Sequence, residues 1–172
     1  MNQFFPSYVW KHCPWCGEKS FRAGNDNNMQ CSSCLKTFYI NASGAVACVI
    51  ENLLGEILLT RRAFEPAKGM LDLPGGFVNL DETAEDAVRR EIKEELNLET
   101  TSVQYFGSSH NRYLFGGMVY FTLDLGFRCI VTDFTNMQVA DDVDGYVFLP
   151  RHRINLQEIC FPSIRNILQL YL

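Results

Sequence analysis

Two differently patterned stretches make up the chain. From Gly44 onward, 45–50 is an uninterrupted apolar run and 57–60 a second, with the turn-forming residues 52–55 between them. This pattern predicts two strands joined as a hairpin. A loop over 64–72, marked by Pro66 and Gly69, leads into Leu73-Pro74-Gly75-Gly76, where paired glycines open backbone conformations closed to other residues. Residues 83–96 then hold good helix formers with no Gly or Pro. Thr83 and Asp86 form a variant capping box ahead of this helix, and Asn97 can take the left-handed conformation that closes it. Aromatic and β-branched residues predict strands at 103–106, 118–125, 127–132 and 145–149. Pro162 opens a last helix, with Ile164, Ile167, Leu168 and Tyr171 spaced for one face.

Residues 1–40 are patterned otherwise. They hold two Cys-x-x-Cys pairs on either side of a polar stretch, 24–28, that reads as a turn, and are expected to form a small module ahead of a main domain at 41–172. A length of 172 residues suits one ordinary domain of about 100 to 150 residues plus such an appendage. With 47% hydrophobic and 20% charged residues, the chain is neither disordered nor membrane-like in composition. Residues 1–10 lack the basic and long apolar regions of a secretory signal, so a cytoplasmic location is expected. The net charge of −5 argues against general affinity for nucleic acid backbone. A small phosphorylated substrate is still compatible, because metal ions can supply positive charge.

Chemistry concentrates on the helix at 83–96. Successive helical residues are rotated by about 100°, so Glu91, Glu94 and Glu95 converge on one side. Three carboxylates there repel one another, which a divalent cation would relieve. Ala84, Val88, Ile92 and Leu96 form the apolar stripe, and Glu91 and Glu95 border it instead of lying opposite, which turns them towards a cleft and away from open solvent. Carboxylates are hard oxygen ligands suited to Mg²⁺ or Mn²⁺, and the Gly75-Gly76 turn can bring a backbone carbonyl, that of Gly75, to the same ion.

The complete pattern, Gly76, five residues, Glu82, seven residues, then Arg90-Glu91-Ile92-Lys93-Glu94-Glu95-Leu96-Asn97-Leu98, resembles the Nudix box at every charged position. Asn97 stands where that family usually has Gly. The resemblance implies an α+β fold, a Nudix α/β/α sandwich with a mixed β-sheet. It also implies Glu91, Glu94 and Glu95 as metal ligands, Glu91 as ligand or general base, Glu82 as a supporting acid, and Arg90 as the ion-pair partner orienting them. The implied reaction is hydrolysis of a phosphoanhydride by metal-activated water. Members often draw a further acid from a later loop, for which Asp141, Asp142 and Asp144 are candidates. They also commonly dimerise, so a homodimer is an expected partner state, with no membrane association.

Cys13-Pro14-Trp15-Cys16 and Cys31-Ser32-Ser33-Cys34 are spaced for two knuckles offering four thiolates to one tetrahedral Zn²⁺. With no open coordination position, such a zinc would be structural. The rival readings are a redox dithiol, which would be expected at a helix start in a βαβ setting that the region lacks, and a nucleic-acid ribbon, which should be basic. Cys48, Cys129 and Cys160, in apolar surroundings, are expected to be buried small hydrophobes.

A zinc ribbon before a Nudix domain resembles the arrangement of bacterial NADH pyrophosphatases. Those carry a Ser-Gln-Pro-Trp-Pro-Phe-Pro-Ser-like motif beyond the box, whereas 107–115 here reads Gly-Ser-Ser-His-Asn-Arg-Tyr-Leu-Phe. Arg112 could meet a phosphate, Tyr113 and Phe115 could stack on a base, and Asp142 is a fourth candidate substrate contact. The preferred substrate is a small nucleotide, a nucleoside diphosphate linked to another group as in ADP-ribose or a dinucleotide. Nucleoside triphosphates and capped RNA ends stay open. The alternative is a non-catalytic Nudix nucleotide sensor or adaptor whose ribbon binds a partner.

Overall fold

The computed structural model describes residues 2–24 and 27–172, so the middle of the turn expected at 24–28 lies outside the described residues. The chain divides into two compact units. One comprises Met1–Ser43 with Arg112–Phe121, the other Gly44–Asn111 with Thr122–Leu172.

In the first unit a short helix, α1 (Pro6–Val9), precedes three antiparallel strands, β1 (Phe21–Ala23), β2 (Asn28–Cys31) and β3 (Thr37–Tyr39), in that order. Phe21 faces Cys31 across one ladder and Met29 faces Phe38 across the next. Among the described residues the apolar core here is Cys13, Phe21, Met29 and Cys31, with Trp10, Cys34 and Ile40 against it. A core this small gives little stability without a cross-link or metal.

The second unit draws on β4 (Ser43–Ile50), β5 (Glu56–Arg62), β6 (Leu71–Asp72), α2 (Ala84–Leu96), β7 (Ser102–Phe115), β8 (Met118–Ile130), β9 (Val143–Pro150) and α3 (Pro162–Tyr171), while Arg112–Phe121, the joined ends of β7 and β8, belongs to the first unit. Its strands form two sheets, β4-β8-β7 and β6-β5-β9. The expected hairpin at 45–60 is therefore corrected: β4 and β5 enter different sheets and share a single bridge, Glu51 with Ile57. The physical cause is visible in their burial. Both strands are apolar on both faces, so each needs cover on two sides, and alternation sends Val46, Cys48, Ile50 and Leu58 to α2 while Ala47, Val49, Ile57 and Leu59 pack with α3. Helix, strands, helix make the expected α/β/α layering.

A second correction concerns Gly126, which separated two expected strands at 118–125 and 127–132. β8 runs straight through it. A Cβ there would lie 2.9 Å from Ile167 of α3 and 2.9 Å from the Phe106 ring, so Gly126 is a point of close packing and not a turn. The strand expected at 103–106 likewise extends to Phe115, and the tight turn falls at Gly116 and Gly117, both at positive φ.

Candidate active site

Helix α2 starts and stops where its residues require. The Thr83 hydroxyl accepts from the Asp86 N–H (3.2 Å), which caps the helix, and donates to the Asp86 carboxylate (2.7 Å), a variant of the capping box in which the acid takes the cap hydroxyl. At the other end Asn97 has φ 54° and ψ 36°, the left-handed stop, and its N–H donates to the Ile92 and Lys93 carbonyls. Between these ends Ala87, Val88, Ile92 and Leu96 enter the core, and Glu91 and Glu95 are carried inward with them.

The three glutamates of the helix have different settings. Glu95 is 4% exposed and Glu91 8%, whereas the Glu94 side chain is 48% exposed. Arg90 is the hub of the cluster. Its Nε and one terminal nitrogen grip both oxygens of Glu82 (2.8 and 2.9 Å), and the other terminal nitrogen donates to Glu91 Oε1 (2.7 Å) and Glu94 Oε2 (3.0 Å). The first of those terminal nitrogens also donates to the Phe77 carbonyl (3.0 Å), tying the helix to the glycine loop. The Arg90 hydrogen bonds hold the Glu82 carboxyl below its ordinary range.

Glu95 is different in kind. It accepts one bond, from the Gly75 N–H to Oε2 (3.1 Å), and among the described residues it has no ion-pair partner. Burial raises its proton affinity well above the usual carboxylate value, and the negative charges of Asp142 and Glu91 push the same way. Glu91 is raised for the same first reason, burial, against the opposing pull of Arg90.

The glycine loop is shaped to this helix. Val46 and Cys48 donate their N–H groups to the carbonyls of Gly76 and Pro74 (2.8 Å each), which leaves the intervening Gly75 carbonyl out of that ladder. Gly75 has φ 144°, and a Cβ there would meet the Val46 carbonyl oxygen. A Cβ on Gly76 would meet Glu91 Oε1. Neither position admits a side chain without moving what it faces.

Of the other expected contacts, Asp142 lies beside Glu95, in a small polar recess with Thr60, Arg62, Asp72 and Gly75. Arg112, Tyr113 and Phe115 belong to the other compact unit. There the Tyr113 and Phe115 rings stack on each other, with centroids 6.1 Å apart, and the Arg112 guanidinium lies over Phe5 at 5.6 Å. Sequence reasoning did not foresee the pairing of Arg62 with Asp72. Arg62 donates to Asp72 Oδ2 at 2.9 Å and stacks over Phe161 at 5.1 Å, while the other Asp72 oxygen accepts from the Leu73 N–H. Their available signal was a doubled arginine at a strand end and an acid just before the Leu-Pro-Gly-Gly turn.

The four ribbon cysteines converge. Their sulfurs all lie within 4.8 Å of one another, with Cys13 to Cys34 and Cys16 to Cys31 both 3.6 Å. Sulfurs around a tetrahedral zinc with bonds of about 2.3 Å stand about 3.8 Å apart, so the donor set fits that ion. Backbone N–H groups of Trp15 and Cys34 donate to the Cys13 and Cys31 sulfurs (3.4 Å each). The Ser20 hydroxyl, 3.1 Å from Cys31, is the main influence pulling that thiol down to about 6. Cys48, Cys129 and Cys160 are buried, as their apolar surroundings predict.

Comparison with known proteins yields one family. The NUDIX domain matches residues 42–170. The NAD-capped RNA hydrolase NudC of Vibrio atlanticus (strain LGP32) is 28% identical over 134 residues, covering 78% of this chain and 49% of that protein. Its counterpart in Vibrio vulnificus (strain CMCP6) is 34% identical over 98 residues, 57% of this chain and 37% of that protein. The chain thus spans about half the length of the curated relatives it matches. Among solved structures, a NUDIX hydrolase from Nitrosomonas europaea superposes with a TM-score of 0.69 at 23% identity, covering 93% of this chain and 89% of that one. The NUDIX domain of Shewanella oneidensis NrtR, solved with ADP ribose, gives 0.57 at 20% identity, covering 76% and 84%. At these identities the structures establish the shared fold.

Proposed function

The chain belongs to the NUDIX domain family, and on that premise we propose that it is a Mg²⁺- or Mn²⁺-dependent hydrolase of the phosphoanhydride bond in a nucleoside diphosphate derivative, of the ADP-ribose or dinucleotide type. The observation that carries this reading is the buried Glu95, which has no ion-pair partner among the described residues and lies near the charges of Asp142 and Glu91. Uncompensated buried carboxylates are costly, and hard oxygen donors at a glycine turn are what a divalent cation needs.

In this reading Glu94, Glu95 and the Gly75 carbonyl hold the ion, with Glu91 as a further ligand or as the general base and Asp142 as the acid from a later loop. A cation bound there supplies the charge that offsets the pyrophosphate oxygens and acidifies a water. Arg90 keeps the carboxylates in place by occupying one oxygen each of Glu91 and Glu94, so the second oxygen of each stays available. Glu91, whose burial raises its proton affinity, is suited to accept a proton from the attacking water. The dinucleotide class is supported by the relatives named as NAD-capped RNA hydrolases, since NAD joins two nucleosides through a phosphoanhydride. The ADP ribose bound by the Shewanella domain supports the neighbouring class. In the ribbon, Cys13, Cys16, Cys31 and Cys34 would hold a structural zinc.

The test is a panel of ADP-ribose, NADH, dinucleoside polyphosphates and nucleoside triphosphates, assayed with Mg²⁺ or Mn²⁺ beside Glu94→Gln and Glu95→Gln. Turnover of a diphosphate derivative, lost in both variants, is expected. Binding without turnover would point instead to a sensor, and wild-type rates in both variants would remove the catalytic assignment.

A further inference from the structure

The segment between β8 and β9, residues 131–142, carries Asp142, and part of its backbone is laid along the far end of α2. A helix ends with carbonyls that have no partner inside it. Two of those in α2 are taken by this segment, since the Gln138 N–H donates to the Leu96 carbonyl (3.0 Å) and the Ala140 N–H to the Glu95 carbonyl (2.9 Å). Two residues earlier the direction reverses. The Asn136 carbonyl accepts from Nδ2 of the Asn97 side chain at 3.0 Å. Residues 136, 138 and 140 thus meet the helix end at the two-residue interval of an extended chain.

Beyond Ala140 the chain turns. The Val143 N–H donates to the Ala140 carbonyl (3.2 Å), Asp141 has φ 56°, and the Asp142 carbonyl accepts from the Ala63 N–H (2.8 Å). The turn places Asp142 in the recess it shares with Glu95, the same residue whose backbone carbonyl holds Ala140. Before the ties begin, Phe134 packs against the core and meets Phe148 edge-on at 5.6 Å. The span that delivers Asp142 is therefore fastened at both ends.

Among the three ties to α2, the Asn97 bond is the one a side chain makes. The helix stop does not require it, because glycine takes the left-handed conformation seen at Asn97 (φ 54°) at lower cost and keeps the backbone bonds of the stop. What asparagine adds is the carboxamide. We propose that Asn97 is a positioning residue: its carboxamide ties residues 136–142 to the end of α2 and so sets Asp142 against Glu95. This rests on the hydrolase reading for what Asp142 then does, which is to help hold the divalent cation, but it assigns the placing of that acid to a residue outside the glutamate cluster.

Asn97→Gly separates the role from that of helix stop, since it keeps a residue suited to the left-handed conformation and deletes the carboxamide. Asn97→Asp keeps the shape and removes the donor. Amide hydrogen exchange of the metal-free full chain, read by NMR, should be about fivefold faster at Gln138 and Ala140 in both variants, with Val88 and Ile92 inside the helix unchanged. Mn²⁺ alone, titrated and followed by the signal of the free ion in electron paramagnetic resonance, should bind Asn97→Gly about two- to fivefold more weakly than wild type, because a released span lowers the fraction of chains with Asp142 in place. In an Asp142→Asn background the same substitution should change the affinity less than about 1.5-fold. Unchanged exchange at Gln138 and Ala140, faster exchange spread evenly over helix and span, or an equal loss of Mn²⁺ affinity with and without Asp142 would overturn the proposal. A wild-type chain that takes up no Mn²⁺ would overturn the hydrolase reading and the metal role of Asp142, while the exchange rates, measured without metal, would still decide whether Asn97 holds the span.

Discussion

Arg90→Ala removes the group on which the glutamate cluster is organised. Five hydrogen bonds leave with it, two to Glu82, one each to Glu91, Glu94 and the Phe77 carbonyl. Their contributions are unequal. Glu94 is about half exposed and reverts to water, a loss of about 0.3–0.5 kcal/mol as for other i,i+4 pairs. Glu82, 14% exposed, keeps its bond from the Asn79 N–H but loses the two-pronged grip, worth about 1.5 kcal/mol or more. Glu91 is left buried with no cation, and removing one partner of a buried pair costs about 3–5 kcal/mol, towards the low end here because Arg90 itself is 25% exposed. Since these bonds share one guanidinium they do not add in full, and the expected loss is about 3–4 kcal/mol. Arg90→Lys keeps the charge but cannot span Glu82 and Glu91 together, so about half of that loss should remain. Urea denaturation followed by helical circular dichroism, with the double cycle against Glu82→Gln, measures both quantities. A cost below about 1 kcal/mol for Arg90→Ala, a lysine variant equal to wild type, or a coupling to Glu82 near zero would refute the reasoning.

Further outcomes follow from the same geometry. Gly75→Ala sets a Cβ against the Val46 backbone at a positive φ and should cost about 3 kcal/mol or more, while Gly76→Ala should fold, with Glu91 displaced and turnover lost; melting temperatures and rates separate the two. The raised proton affinity of Glu95 means that its ionised form destabilises the fold. The penalty is therefore full at a pH above the folded-state pKa and disappears as pH falls below the unfolded value of about 4.3. Without divalent metal, Glu95→Gln should be more stable than wild type at neutral pH and equal to it at about pH 4, as read by urea midpoints. A colorimetric chelator should release about one zinc per chain from the wild type and none from Cys31→Ser. Ser20→Ala, which deletes the hydroxyl beside Cys31, should weaken zinc retention roughly tenfold in a competition assay.

What could be read from residues alone was whatever depends on local spacing. The bounds of α2, the Thr83 cap, the left-handed Asn97 and the inward turn of Glu91 and Glu95 follow from helical rotation and cap chemistry, and the structure shows each of them. Pairing between strands does not follow from spacing. Two adjacent apolar runs look like a hairpin, yet their double-faced burial sends them to separate sheets. Gly126 looked like a break because a glycine that ends a strand and one that lets a helix approach are identical as letters. The pairing of Arg62 with Asp72 was not foreseen for a related reason: they are ten residues apart and meet only because β5 and β6 pair. The place of Arg112, Tyr113 and Phe115 in the ribbon unit was hidden for the same reason, since nothing local says that the tip of a long hairpin joins that unit.

That discontinuous unit has a consequence for how the molecule is made. Chains leave the ribosome from the amino end, and a leading domain ordinarily folds while the rest is still being synthesised. Here the first 43 residues share their compact unit with Arg112–Phe121, so the unit cannot be completed until residue 121 has emerged. By that stage β4, β5 and α2 are already outside the tunnel. Residues 1–43 are thus finished as a unit only after β4, β5 and α2, which follow them in the sequence, have been made.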